Sequence, residues 1–119
     1  MLNYCYYIGA TAFVNANEGF YELNFLKYGT PKKTKVTFAL KGYEHADEVL
    51  VSGDFNSWRP DGSMILTPSG WERNFYLFPG SYEYKFVING DEWILDPANP
   101  DTVYVPEVNS VNSVLTLTE

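Results

Sequence analysis

The sequence predicts an all-β fold, an antiparallel sandwich or barrel. Apolar and polar residues alternate in several short runs, most cleanly where Tyr82, Tyr84, Phe86 and Ile88 share one face of a strand. Clusters of Gly, Pro, Asn and Asp interrupt these runs at regular intervals. Beyond Pro31 no segment carries a helical period. Short strands punctuated by turns pack as antiparallel sheets rather than as a parallel sheet covered by helices.

Taken in chain order, residues 1–33 form an N-terminal segment of their own. Residues 4–14 and 20–26 read as additional strands joined through Asn15-Ala16-Asn17-Glu18-Gly19, or as the remnant of a neighbouring domain. Gly29-Thr30-Pro31-Lys32-Lys33 reads as a linker, and residues 34–119 as the β domain. Val36, Phe38 and Leu40 alternate with polar residues, as a half-buried strand requires. Residues 49–52 are a short apolar strand ended by Gly53, followed by a polar stretch with a turn at Pro60-Asp61-Gly62. Residues 71–78 form the next strand, closed by Pro79-Gly80. Residues 82–88 follow and end at Asn89-Gly90, residue types that accept the left-handed backbone of a tight hairpin. Residues 93–95 return until Asp96-Pro97 stops them, a loop rich in Pro, Asn and Asp follows, and residues 111–118 are the last strand. Phe38, Trp71, Tyr84 and Phe86 are the expected core.

Composition narrows the function. A chain of 119 residues fits one domain. Ten Tyr, eight Phe and three Trp exceed what one small core needs, so some rings face solvent, where flat aromatic faces serve recognition. A net charge of -7 argues against nucleic acid and against an anionic membrane surface, and a neutral polymer is indifferent to it. Cys5 is the only cysteine, which leaves no intrachain disulfide and no multi-cysteine metal site. No run approaches the roughly 18 apolar residues of a membrane span. The N-terminus lacks the basic start and apolar stretch of a signal peptide.

The sequence offers no catalytic constellation. A glycosidase needs two carboxylates across the scissile bond, but most of the fifteen acidic residues lie in turns, which suit Asp for backbone reasons. Asp91, Glu92 and Asp96 read as solvated turn chemistry. His45 is the only histidine and has no His or Cys partner for a triad or a metal site. No glycine-rich phosphate loop is present. The expectation is a protein without enzymatic activity and without a cofactor.

The residues suited to binding are different ones. On the strand of residues 82–88, alternation places Lys85 opposite the aromatic face. A lone Lys there is ordinarily a solvated surface residue. Trp58 and Trp93 lie in polar, turn-rich surroundings, where each either plugs the end of the sandwich or faces a ligand. A sugar ring offers C–H groups that stack on indole and hydroxyls that need donors and acceptors within about 3 Å. Two Trp, a Lys and an amide such as Asn112 would make a sugar cradle, with Trp58 and Trp93 as two walls of one groove.

Four blocks in order carry a family resemblance: Gly53-Asp54-Phe55-Asn56-Ser57-Trp58; Trp71 with Phe78-Pro79-Gly80 and Tyr82-Glu83-Tyr84-Lys85-Phe86; Asn89-Gly90-Asp91-Glu92-Trp93 with Asp96-Pro97; and Val111-Asn112-Ser113-Val114-Leu115. Together they resemble the family 48 carbohydrate-binding modules, which include the glycogen-binding domain of the AMP-activated kinase β subunit and N-terminal domains of branching and debranching enzymes. The resemblance implies an immunoglobulin-like β-sandwich that binds α-glucan such as glycogen or starch and tethers an attached or associated enzyme to it. Carried over by position, it implies sugar contact for Trp58, Lys85, Trp93 and Asn112, with Ser110 as a small hydroxyl residue and Val108 as an apolar residue entering the glucan; Trp71 maps to the core. The segment between Lys85 and Trp93 is one residue longer than in the kinase subunit, and residues 100–109 depart from the family pattern. Relatives of the same fold also bind other polysaccharides, including xylan, or keep the fold with a degenerate site.

Overall fold

The computed structural model describes residues 32–118. The expectations for residues 4–14, residues 20–26 and Cys5 lie outside them. Eight strands occur among the described residues: β1 (Thr34–Leu40), β2 (Val49–Gly53), β3 (Ile65–Thr67), β4 (Gly70–Leu77), β5 (Gly80–Ile88), β6 (Glu92–Ile94), β7 (Thr102–Val105) and β8 (Ser110–Leu117). They form two antiparallel sheets, one ordered β1-β4-β3 and one ordered β2-β5-β8-β7 with β6 also on β5. The fold is an antiparallel β-sandwich. No helix among the described residues is long and apolar enough to cross a membrane.

Alternation decides which faces meet. Val36, Phe38 and Leu40 of β1 point inward with Trp71 of β4, and Tyr84, Phe86 and Ile88 of β5 meet them from the other sheet with Val49 and Val51 of β2. Phe86 is fully buried, and Phe38, Trp71 and Tyr84 are nearly so. Phe38, Phe55, Phe75 and Tyr84 pack as tilted and edge-on rings with centroids 4.7 to 6.4 Å apart. The Trp71 indole donates to the Tyr43 carbonyl at 3.0 Å, so this core ring is also satisfied.

Two strands, β3 and β7, have no counterpart in the sequence pattern. Residues 65–67, between the Pro60-Asp61-Gly62 turn and Trp71, pair with β4, and residues 102–105, within the Pro/Asn/Asp-rich loop, pair with β8. Both are three or four residues long, too short for a periodic signal, and their register comes from their neighbours. The hairpin at Asn89-Gly90 has positive φ at both residues (53° and 80°), and the Asp91 amide closes it onto the Ile88 carbonyl.

β5 organises the sheet. Its first half pairs with β8 up to Tyr84↔Ser113, and its second half pairs on the same edge with β6 from Phe86↔Ile94. The sheet therefore forks at Lys85. A polar knot fills the fork. The Tyr84 hydroxyl donates to Asp96 at 2.7 Å and accepts from the Asn99 amide at 3.0 Å. Asn99 also donates to the Val114 carbonyl, and the Asp96 amide donates to the Ser113 hydroxyl. Asp96 caps the turn as well, through the Ala98 amide. Burial is the largest cause raising the Tyr84 phenol above its ordinary value; Asn99 opposes it, and the bond to Asp96 and its charge add to it.

Candidate functional site

The outer face of the five-stranded sheet collects most of the residues singled out above. Glu83, Lys85 and Val87 project from β5 on the side away from Tyr84 and Phe86. On the adjoining strands, Val87 stands opposite Trp93 and Lys85 opposite Ser52. Ser110 and Asn112 come from β8 on the far side of the fork.

Trp58 reaches this face because its loop is fixed at both ends. The Asn56 side chain accepts from the Gly53 amide at 3.0 Å and donates to the Val51 carbonyl at 3.2 Å. Ser57 and Trp58 both hold left-handed backbone, with φ of 56° and 58°. Two consecutive non-glycine residues in that region are costly and persist only where surrounding bonds enforce them. The Trp58 amide donates to the Gly53 carbonyl at 2.9 Å, and its indole N–H donates to Asp54 at 3.1 Å. The second carboxylate oxygen of Asp54 accepts the Glu83 amide at 2.7 Å, which ties the loop to β5.

The result is a half-buried Trp58 beside Trp93, which is 50% exposed. Their ring centroids lie 6.5 Å apart with planes 33° from parallel. A sugar slotted face-to-face between them would need about 7–8 Å, two carbon contact distances. The pair is therefore a tilted platform rather than two facing walls. Neither ring belongs to the core cluster.

The polar members are held in pairs. The Lys85 ammonium donates to the Ser110 hydroxyl at 2.9 Å, and the Asn112 amide donates to Glu83 at 3.0 Å. Lys85 keeps two further N–H donors and Asn112 keeps its carbonyl oxygen for a ligand. Among the described residues the one ion pair joins Arg59 and Asp61, so Lys85 stands without a carboxylate partner. Val108, 69% exposed, sits in the 3-10 turn Pro106–Val108 that leads into β8. The structure thus brings together Trp58 with Trp93 and Lys85 with Ser110, sets Asn112 on Glu83, and leaves Val108 exposed in the turn before β8.

Neither Asp54 nor Glu83 is among the sugar contacts expected from the sequence. For Glu83 a signal existed, since alternation puts it on the face of Lys85 two residues away. For Asp54 there was none, because its partner amide is 29 residues distant. Chemically the face can stack and hydrogen-bond. Among the described residues no group of three His, Cys, Asp or Glu is placed to hold a metal ion.

Known proteins resemble this chain in sequence and in fold. The chain is 38% identical over 56 residues to Protein PTST homolog 2, chloroplastic, of Arabidopsis thaliana, covering 46% of this chain and 10% of that protein. It is 36% identical over 74 residues to Protein FLOURY ENDOSPERM 6, chloroplastic, of Oryza sativa subsp. japonica, covering 61% and 13%. It is 29% identical over 72 residues to the 5'-AMP-activated protein kinase subunit beta-2 of Mus musculus, covering 60% and 26%. The chain thus matches a quarter or less of most of these relatives' length. A crystal structure of maltogenic amylase from S. marinus superposes with a TM-score of 0.56 at 25% identity, covering 71% of this chain and 13% of that one. Residues 34–119 match the family model described as the glycogen recognition site of AMP-activated protein kinase, and the chain belongs to that family.

Proposed function

We propose that the outer face of the five-stranded sheet binds α-glucan of the glycogen or starch kind, through Trp58 and Trp93 as stacking platform and Lys85, Ser110 and Asn112 as hydrogen-bonding groups, with Val108 at the rim. The observation that supports this most is the side-by-side indole pair, with an ammonium and an amide that retain unused hydrogen-bonding capacity on the same sheet. Binding is the whole activity: the domain performs no reaction and holds an attached or associated enzyme on the polymer by raising its effective concentration. A shallow site of two rings gives a Kd on the order of 10 μM to 1 mM, about -7 to -4 kcal/mol.

Native affinity electrophoresis in gels containing glycogen, amylopectin or xylan tests the reading. Retardation by the two α-glucans is the expected result. Migration unchanged in all three gels overturns it, and retardation by xylan alone moves the site to a different polymer. No reducing sugar should be released during incubation.

A further inference from the structure

Among the described residues, Asp54 is the one side chain that hydrogen-bonds both to Trp58 of the aromatic loop and to the strand carrying Lys85. One carboxylate oxygen takes the indole N–H of Trp58 and the other takes the backbone N–H of Glu83. We infer that Asp54 is a positioning residue: it locks the Trp58 ring beside Trp93 before any ligand arrives, and so sets affinity without touching sugar. The inference rests on the reading of the indole pair as the glucan platform.

The chemistry is specific to a carboxylate. Two donors converge from different directions, and a carboxylate offers two acceptor oxygens and no donor. The indole N–H is used internally, so Trp58 meets a ligand with the face of its ring rather than with its nitrogen. The backbone alone does not set that ring. Left-handed φ at Ser57 and Trp58 fixes where the side chain leaves the chain, but its rotamer stays open on a half-buried site. Without Asp54 the ring would have to be ordered on binding, and immobilising a side chain weakens association by about three- to tenfold. Both bonds of Asp54 are exposed to solvent, so water satisfies the freed donors and the fold survives the change.

Two substitutions separate these effects. Asp54→Ala removes both bonds. Asp54→Asn leaves one acceptor oxygen for two donors; with that oxygen on the shorter, backbone-held bond from Glu83 (2.7 Å against 3.1 Å for the indole) the NH2 faces the indole N–H, so the clamp on the ring breaks while the tie to β5 stays. The readout is circular dichroism without glucan. Two indoles at 6.5 Å and 33° couple their excited states and give a paired positive and negative band. Trp93→Phe supplies the spectrum without coupling. The expected result is a parent-like Tm, a lost or strongly reduced couplet in both Asp54 variants, binding to maltooligosaccharide weaker by about three- to tenfold, and a couplet restored at saturating ligand. A couplet and an affinity equal to the parent's in both variants overturn the inference; should Asp54→Ala not fold, the Asp54→Asn spectrum decides it. Because the couplet is read before sugar is added, a protein that binds no glucan at all would refute the proposed function and still leave the role of Asp54 decided by the spectrum.

Discussion

Removing one hydroxyl from the fork under Lys85 should loosen the site from behind. Tyr84 is 2% exposed, and its hydroxyl donates to Asp96 and accepts from Asn99. Tyr84→Phe keeps the ring, so no cavity larger than an oxygen is created. It deletes two bonds, one of them to a charged acceptor, on partners that are themselves only half-buried and can recruit water. Asn99 also retains the Val114 carbonyl. The loss is therefore about 1–2 kcal/mol rather than the larger penalty of a buried, orphaned charge, which lowers Tm by about 5–10 °C for a domain of this size. The pH dependence has a definite sign. Burial raises the folded-state pKa of Tyr84 above its unfolded value near 10, so the folded state holds the proton longer. The stabilisation is fully present below about pH 10 and is lost as pH rises toward the folded pKa, at about 1.4 kcal/mol per pH unit. Tyr82, also raised by burial, adds a slope of the same sign. Thermal melts of both proteins from pH 7 to 12 read the two effects together. The parent should lose stability steeply above pH 10, and Tyr84→Phe should start lower and fall less steeply. Equal Tm at pH 7 with identical alkaline limbs would show that the knot contributes nothing and that the reasoning is wrong.

Two further substitutions separate site from core. Lys85→Met should weaken glucan binding by about 1–2 kcal/mol, for the loss of a charged donor, with a Tm within about 2 °C of the parent's; titration and melts check both. Trp71→Ala should destabilise the domain by about 3–5 kcal/mol, because it empties a core position and abandons the bond to Tyr43; urea denaturation measures it, and a cost under about 1 kcal/mol would remove Trp71 from the core.

A strand and its inward face were legible where it carries enough residues to show its period. Residues 82–88 alternate over seven positions, so the burial of Tyr84, Phe86 and Ile88 and the outward course of Lys85 followed from sequence alone. β3 and β7 were not legible, because a three- or four-residue strand holds no period of its own and takes its pairing from β4 and β8. The fork at Lys85 was hidden for a related reason. It depends on β8 ending its ladder where β6 begins, a fact about three strands at once. Trp58 and Trp93 were visible as candidates, yet whether they lay side by side depended on the left-handed turn at Ser57 and Trp58, which neither residue type favours. The bonds from Asp54 to Glu83 and from Glu83 to Asn112 each span 29 residues, beyond any local pattern.

The central claim is that the paired indoles are a ligand platform and not part of the core. The measurement that tests it most directly is glucan titration of Trp58→Ala and Trp93→Ala, with a thermal melt of each. Both variants should fold with nearly the parent's Tm and bind more weakly by about 1–3 kcal/mol, the loss expected for an aromatic anchor. Either variant unfolding would make that ring a plug at the end of the sandwich, and two folded variants binding α-glucan as tightly as the parent would place the site elsewhere.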